Sequence, residues 1–555
     1  MTVLPARPQS TTLPAPRFTF HVSRFTPHFS RLLLHPSSLI LLLAALAVAG
    51  LALLPPAYLL LRTAASGANA LDVLLRPSTL TALWQTVLLA VTVTLASAAL
   101  AVPLAWLTVA TDLPGRRLWA VVAALPLVLP SYVGAYLMAS ILGPKGLLQQ
   151  TLQPLTSLER LPNIYGFPGA FLALTLLSYP YTLLSVRAAL LKMDPSLVEA
   201  ARSLGLSPWR AFWRVTLPHL RPSLVAGSLL VILYVLRDFG AVTIMRYTTF
   251  TRLIYVQYQS FFDRSLAATL SLVLVALTAA VLYLELRTRG RAHYSRRSAG
   301  VMRQQRPVAL GHWRWPALLF VGSVALVGLI LPAGGLLYWL ARELAARPDW
   351  LALWQSAWHS LSLSLTTAVV ALAAAVPVAT LSVRRPGRFI HLLERFTYAG
   401  YALPGLVIAL ALVFFGATYA PALYQTLPML LAAYVILFIP QAVGATRTSL
   451  LQIPATLEEA GRSLGHHPWR VFRRVTLPLL RPGLLAGAAL VFLTCMKELP
   501  ATLLLSPFGY RTLATAVWSN ISEAYFAQAA VPTLLLILLS SIPLAILTLR
   551  ERPGD

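Results

Sequence analysis

The sequence has few charged residues and a single cysteine. Charged residues make up 11% of the 555 residues, hydrophobic residues make up 58%, and the mean hydropathy is +0.73. A soluble domain carries about a quarter charged residues, so this chain needs lipid as the solvent for much of its surface. Cys495, the one cysteine, excludes an intramolecular disulfide framework and any site built from several thiolates. It lies within an apolar run, which indicates a packing role.

Signatures of enzyme chemistry are also missing. The sequence has no GxxxxGK[ST] loop to hold the phosphates of ATP, and no clustered nucleophile, base and orienting residue. His466 and His467 lie together, but in a basic loop, where we interpret them as surface residues and not as ligands. We therefore predict no catalytic residues, no resident metal and no cofactor of the chain's own.

Long apolar runs are what the sequence does contain. A bilayer crossing needs about 20 such residues, and twelve runs qualify, several of them with prolines that neighbouring helices can accommodate. We predict an all-α integral membrane protein of about 12 transmembrane helices. The runs are 38–61, 82–109, 118–141, 167–190, 223–247, 266–286, 315–340, 357–382, 396–417, 427–447, 484–506 and 528–549.

The basic residues predict the orientation. With both termini in the cytoplasm, 32 of the 44 Lys and Arg residues fall in cytoplasmic segments, as the positive-inside rule requires. The net charge of +27 is therefore not a sign of nucleic-acid binding. We expect the first span to remain uncleaved in a multi-pass protein of the bacterial plasma membrane, because a leader ending near residue 70 would be unusually long.

The chain is an internal duplication. Residues 199–227 and 459–487 are identical at 21 of 29 positions, at an offset of 260, and earlier positions match at an offset of 274. Two six-span halves of equal topology can pack around an axis along the membrane normal. The predicted organisation is a disordered cytoplasmic tail (1–36), a first transmembrane domain (37–286, core 80–285), a basic cytoplasmic linker (287–314), a second transmembrane domain (315–549, core 355–548) and a cytoplasmic tail (550–555).

The repeated loop has the sequence pattern of two short helices. Glu199 opens a good helix-forming segment that stops at Gly205, and Ser207 with Pro208 then predicts a second helix start. Trp209, Phe212 and Val215 fall on one face at three-residue spacing. We expect Leu217-Pro218 to end the element. The second copy has the weaker cap His467 before Pro468.

These two loops resemble the EAA loop of binding-protein-dependent ABC importer permeases, the MetI-like family. The resemblance implies that residues 190–222 (the first coupling loop) and 450–482 (the second coupling loop) dock on ATPase subunits. The second copy departs from the motif once, with Gly461 in place of alanine. The matching positions are Glu199, Ala200, Ala201, Gly205, Leu217 and Pro218, and Glu459, Ala460, Gly461, Gly465, Leu477 and Pro478.

The resemblance implies partners as well. Two copies of a cytoplasmic ATPase would bind ATP and Mg²⁺, an extracytoplasmic binding protein would deliver the substrate, and the single fused chain would replace a permease dimer in the bilayer. A gradient-driven transporter of twelve helices is the alternative from another class, although it would have no use for two ATPase-docking loops.

Two charge pairs interrupt apolar runs at equivalent positions. Arg237-Asp238 and Lys497-Glu498 are expected past the bilayer midplane, about 22 Å along a continuous helix from the cytoplasmic side. Intramembrane charges are costly, so they are usually functional or paired. We predict that these four residues form a translocation path or gate, with interhelical salt bridges as the structural alternative.

The segments 236–258 and 496–518 resemble fused permeases of ferric iron importers, chiefly in Asp238-Phe239-Gly240 and Lys497-Glu498-Leu499-Pro500. Hard Fe(III) prefers oxygen ligands such as carboxylates. Two carboxylates, each beside a cation, do not suit a tight resident metal site. Ferric iron is the expected substrate, and thiamine, polyamines, phosphonates and oxyanions are the alternatives.

Overall fold

The computed structural model describes residues 36–65, 69–154, 161–261, 264–289 and 307–550. Three predicted segments lie largely outside these ranges: residues 1–35 of the N-terminal tail, residues 290–306 of the linker and residues 551–555 of the C-terminal tail. The predictions made for those residues therefore lie outside the described structure.

Within the described ranges the first half of the chain is helical. Apolar runs fold this way in lipid because a helix satisfies every backbone polar group internally. The helices are Pro36–Ala65, Asn69–Leu75, Pro77–Ala110, Arg116–Val122, Leu125–Val128 (3₁₀), Ser131–Leu142, Leu147–Leu152, Phe167–Lys192, Pro195–Ser203, Pro208–Ala211, Phe212–Thr216 (π), Leu217–Arg237, Gly240–Ile244, Phe250–Val256, Gln257–Phe261 (π) and Arg264–Arg289.

The second half repeats this order with small differences. The helices are Gly311–Trp313 (3₁₀), Arg314–Ala325, Leu326–Ile330 (π), Leu331–Ala345, Trp350–Arg384, Arg388–Thr397, Ala399–Ala402, Gly405–Tyr419, Leu427–Gln452, Ala455–Ser463, Pro468–Val471, Phe472–Thr476 (π), Leu477–Met496, Pro500–Leu505, Leu513–Ser522 and Phe526–Arg550.

The all-α fold with about 12 membrane helices is confirmed: among the described residues, ten single helices are long and apolar enough to cross a membrane, and counting two bent helix pairs as one span each gives up to 12. The two pairs are bent by 100° and 102° and lie in the third and ninth predicted runs. Each bend lies at a proline, Pro130 or Pro404, which stands before the first residue of the next helix. Pro180 and Pro440 lie inside unbroken helices.

Two predicted crossings, 223–247 and 484–506, were wrong in their bounds. The helices there begin within the coupling loops and end early, so that the crossings run Pro208–Arg237 and Pro468–Met496. Leu217-Pro218 does not end the loop element either. A π turn leads directly into the crossing, with the Leu217 N–H bonded to the Phe212 carbonyl, and Pro218 occupies the first turn of the long helix, where a missing N–H is tolerated.

The first span of each half packs on the other half. Tyr58 of the first span contacts the rings of Phe415 and Tyr419, at centroid distances of 6.3 and 6.4 Å. In the opposite sense, the Trp339 indole donates to the Ser140 hydroxyl at 3.2 Å. This exchange brings the two halves together as one body.

Among the ten single helices, the most enclosed are Phe167–Lys192 and Leu427–Gln452, which are 72% and 67% buried along their most apolar windows. They are equivalent in the repeat, and each ends where a coupling loop begins. Each coupling loop is therefore attached directly to a central helix of its half.

Candidate functional site: coupling loops and the charged centre between the halves

The first helix of each coupling loop ends as its glycine predicts. Gly205 and Gly465 have φ of +84° and +80°, a left-handed conformation that favours glycine. The N–H groups of Gly205 and Leu206 bond the carbonyls of Arg202 and Ala201, which is the Schellman motif. These glycines turn the chain into the second helix of the loop.

The second helix begins at the predicted caps. The Ser207 hydroxyl accepts from the Arg210 N–H at 3.4 Å, and the His467 ring accepts from the Trp469 N–H at the same distance. Proline follows at the first position in both copies. The predicted pair of helices is confirmed in both loops.

Both loops present aromatic side chains to solvent beside exposed motif residues. Trp209 and Trp469 are each 65% exposed. Trp213, which the sequence analysis did not single out, is 51% exposed and lies against Trp209 at 5.6 Å between ring centroids. Phe212 lies on the same face as Trp209, as predicted: the two rings stack at 6.2 Å between centroids, and Phe212 is buried with its ring 5.7 Å from that of Trp106.

The motif residues divide into a buried and an exposed set. Ala201 and Gly461 are buried, which explains why this position takes only a small residue. A Cβ atom on Gly461 would lie 3.1 Å from a methyl group of Val471, whereas the first copy pairs Ala201 with the smaller Ala211. The exposed motif residues are Glu199, Ala200, Gly205, Glu459, Ala460, Gly465 and Pro478, and Leu217, Pro218 and Leu477 are half-buried.

The second coupling loop is held to its own half by an ionic cluster. Glu458 accepts from the Arg384 guanidinium at 3.0 Å and from the Thr476 hydroxyl at 3.1 Å. Arg384 also donates to the Ile453 carbonyl at 3.0 Å, and Arg462 lies 3.5 Å from Glu458. The sequence analysis did not anticipate this cluster, because Arg384 is 74 residues away from Glu458.

The first half has a different contact at the corresponding place. Ala110 and Val198 occupy the positions of Arg384 and Glu458. The end of the linker lies beside Ala110 instead: the Asp112 carboxylate accepts from the Leu310 N–H and from the Arg314 guanidinium, both at 2.9 Å. These two donors hold the pKa of Asp112 below its ordinary value.

The intramembrane charge pairs lie at helix breaks and not within continuous helices. Arg237 is the last residue of its helix, and a short helix begins at Gly240. Lys497 likewise follows the helix that ends at Met496. The expectation of charges partway along unbroken spans was therefore wrong.

The two carboxylates bond the backbone of the short helices that follow them. Asp238 accepts from the N–H groups of Ala241 and Val242 at 2.9 and 3.2 Å. Glu498 accepts from the N–H of Ala501, the equivalent of Ala241, at 3.2 Å. Unpaired N–H groups at a helix start are costly in an apolar setting. These carboxylates therefore stabilise the helix breaks by accepting hydrogen bonds from the N–H groups at the start of each short helix.

Each carboxylate also lies at the start of the helix that follows a bend. The Ser131 hydroxyl lies near the Asp238 carboxylate. Its equivalent is Gly405, where an added Cβ would lie 2.6 Å from Glu498 Oε1. The first half thus combines the shorter acid Asp238 with Ser131, whereas the second half combines the longer acid Glu498 with Gly405.

The two cations reach across to the opposite half. The Lys497 ammonium donates to the Leu127 carbonyl at 3.4 Å, and the Arg237 guanidinium lies 6.0 Å from the centre of the Tyr401 ring. Leu127 and Tyr401 are equivalent at the offset of 274. No ion pair within 4.0 Å joins the four charged residues, all of which the structure describes, so the predicted alternative of direct salt bridges does not hold.

An aromatic cluster and an open pocket lie next to the charged centre, which consists of Arg237, Asp238, Lys497 and Glu498. The Phe239 ring is 4.7 Å from that of Tyr255 and 5.2 Å from that of Trp518, in the other half. Tyr255 and Trp518 also line a pocket of about 520 Å³ with Gln425 and residues 506–511. Tyr255 and residues 506–511 come after the long helices that lead away from the coupling loops. The pocket therefore lies on the side of the protein opposite the coupling loops.

Among the described residues there is no group of three or more His, Cys, Asp or Glu side chains that could hold a metal ion. His466 and His467 lie in the second coupling loop.

In a comparison with known proteins, both halves of the chain match the same family. The family model described as "Binding-protein-dependent transport system inner membrane component" matches residues 114–289 and 367–552. The Fe(3+)-transport system permease protein FbpB 2 of Haemophilus influenzae is 34% identical over 498 residues, which are 89% of this chain and 95% of that protein.

Two relatives named for other substrates match one stretch each. The molybdenum transport system permease protein ModB of Escherichia coli K12 is 35% identical over 162 residues, 28% of this chain and 69% of that protein. The probable sulfate transport system permease protein cysT of Marchantia polymorpha is 31% identical over 193 residues, 35% of this chain and 66% of that protein.

Proposed function

The chain belongs to the family of binding-protein-dependent transport system inner membrane components, and on this premise we propose that it is the fused permease subunit of an ATP-driven importer of ferric iron. The observation that carries the proposal is the pair of coupling loops, alike in fold and exposure. Family membership leaves the gradient-driven alternative without support.

In this proposal one ATPase subunit docks on each coupling loop, so that one fused chain takes the place of two permease subunits. The exposed rings of Trp209 and Trp469 suit burial in a partner, because aromatic residues dominate the energetics of such interfaces. ATP and Mg²⁺ bind on the ATPase, and a substrate-binding protein docks on the opposite side. Both termini then lie in the cytoplasm, as the positive-inside count predicts.

The charged centre serves as the gate between the halves. Lys497 and Arg237 contact the bend of the opposite half, so separation of the halves breaks both contacts together. The carboxylates Asp238 and Glu498 keep the helix breaks capped during this movement. ATP-driven closure of the ATPase pair moves the coupling loops, and the central helices attached to them open the gate.

Ferric iron is proposed because a relative that matches 89% of the chain is named for Fe(3+) transport. An oxyanion is the second candidate, because relatives named for molybdenum and sulfate match single stretches. No comparable observation favours thiamine, a polyamine or a phosphonate.

The test is substrate-stimulated ATP hydrolysis in liposomes that contain the chain, its ATPase and its binding protein. We expect stimulation by binding protein loaded with Fe(III) and not by the empty form, and loss of stimulation when Glu199 and Glu459 are both changed to Arg. Stimulation only by a sulfate- or molybdate-loaded binding protein would replace iron with an oxyanion. Iron-stimulated hydrolysis that persists in the double variant would contradict the assigned role of these two glutamates.

A further inference from the structure

The pocket opposite the coupling loops has an unusual wall for a cation importer. Its polar side chains carry hydroxyls, an amide, the Trp518 indole and the Arg511 guanidinium, and its lining includes no carboxylate. Arg511 is exposed and makes no ion pair within 4.0 Å with any described residue. Glu523, which follows the lining residue Ser522, is exposed and is not part of the wall.

The wall around Arg511 is held in place by its neighbours. The His359 ring bonds the Arg511 carbonyl at 3.0 Å and stacks on Tyr510 at 4.1 Å between ring centroids. The Tyr510 hydroxyl donates to the His359 carbonyl at 3.0 Å, and the Leu513 N–H donates to the Ser360 hydroxyl at 2.7 Å. These contacts hold the backbone that carries Arg511, and a guanidinium among hydroxyls is suited to bind anionic oxygen atoms.

The next groups along the path are also cationic. Phe239, which lies between the wall residues Tyr255 and Trp518, follows directly on Arg237-Asp238. Arg237 and Lys497 cross the boundary between the halves, whereas both carboxylates already bond backbone N–H groups. A bare trivalent cation would meet three cations and no uncommitted carboxylate, which is unfavourable where water is scarce.

We propose that the substrate enters this pocket with its positive charge already covered by anionic oxygen ligands, so that iron crosses as an oxyanion complex and not as the bare ion. This inference rests on the proposed ferric function. In it, Arg511 and the pocket hydroxyls bind the ligand shell, and the cations at the gate tolerate a complex whose net charge is zero or negative.

The test is a double-label uptake experiment with the complete importer in liposomes. The binding protein is loaded with ⁵⁵Fe(III) and ³²P-phosphate as the only anionic chelator, and both labels are counted inside. Entry of both labels at a fixed ratio is the expected result. Entry of iron without phosphate would overturn the inference and leave the ferric function standing. Absence of iron uptake would instead remove the ferric function, and this inference with it.

A variant pair tests the pocket itself. Arg511→Gln is expected to lower the joint uptake about tenfold, the equivalent of one charge-assisted hydrogen bond. Arg347→Gln is the matched control, since Arg347 is exposed at the end of the helix Leu331–Ala345 and does not line the pocket. Uptake by Arg511→Gln equal to that of the control would overturn the role assigned to the pocket.

Discussion

Glu498 occupies the space that a side chain at position 405 would need. A Cβ atom added to Gly405 would lie 2.6 Å from Glu498 Oε1, closer than such atoms approach in proteins. In the first half the same place holds Ser131 against Asp238, a longer residue against a shorter acid. In each half, the combined length of the two facing side chains therefore fills the same space, although the individual residues differ.

This relationship predicts a rescue. Gly405→Ser alone should destabilise the protein by about 1–3 kcal/mol, the usual cost of overpacking, because the carboxylate must leave its cap. Gly405→Ser combined with Glu498→Asp recreates the pair of the first half and should recover most of that loss. Thermal unfolding in detergent measures both. A double variant less stable than the sum of the two single changes would contradict the complementarity.

The ionic cluster of the second coupling loop predicts a similar asymmetry. Glu458→Val leaves the Arg384 guanidinium without its carboxylate and should cost about 1.5–3 kcal/mol, with weaker stimulation of ATP hydrolysis. The double variant Glu458→Val with Arg384→Ala places in the second half the residue types that Ala110 and Val198 provide in the first half.

Removing both partners of a buried pair is often nearly neutral, so this second variant should be more stable than Glu458→Val. Thermal unfolding gives the stability, and the liposome assay gives the coupling. Equal loss in both variants would mean that Arg384 acts on the loop by another route.

The exposed tryptophans of the loops predict uncoupling without unfolding. Trp209→Ala and Trp469→Ala should each lower stimulated ATP hydrolysis about tenfold or more, since buried interface tryptophans contribute about 2 kcal/mol. Trp84→Ala and Trp358→Ala are matched controls, because those residues are equally exposed, 65% each, and occupy equivalent positions in membrane spans. Loss of stimulation in the controls to the same extent would point to general destabilisation.

Docking of the linker end predicts a pH dependence. Asp112 has a lowered pKa because Leu310 and Arg314 favour its charged form. The docked state is therefore favoured fully above the ordinary carboxyl pKa of about 4, and this contribution is lost as the pH falls through the lowered value.

Hydrogen exchange of the peptide 307–315 measures this docking, and Asp112→Asn should exchange faster at neutral pH than the unchanged chain. The same variant should remove the pH dependence of docking. Identical exchange in both proteins would contradict the role of Asp112.

The positions of the prolines in the sequence did not predict which membrane helices bend. Pro103, Pro130, Pro180, Pro377, Pro404 and Pro440 all interrupt apolar runs, yet only those at 130 and 404 stand at bends. In the other positions the helix continues through the proline. Which outcome occurs depends on whether neighbouring helices satisfy the freed backbone groups, and a single sequence does not contain that information.

The sequence by itself determined the membrane location, the apolar runs that form the membrane helices, the duplication and the two coupling loops with their caps and glycine turns. These follow from composition, repeat spacing and local backbone preference, each of which acts over a few residues. The tertiary structure decided the exchange of first spans, the Arg384–Glu458 cluster, the capping role of Asp238 and Glu498, and the contacts of Lys497 and Arg237 across the halves. The caps depend on where the tertiary packing breaks each helix. The other contacts depend on which helices meet, and they include residues 74 and 370 positions apart in the chain, which carry no local signal of their contact.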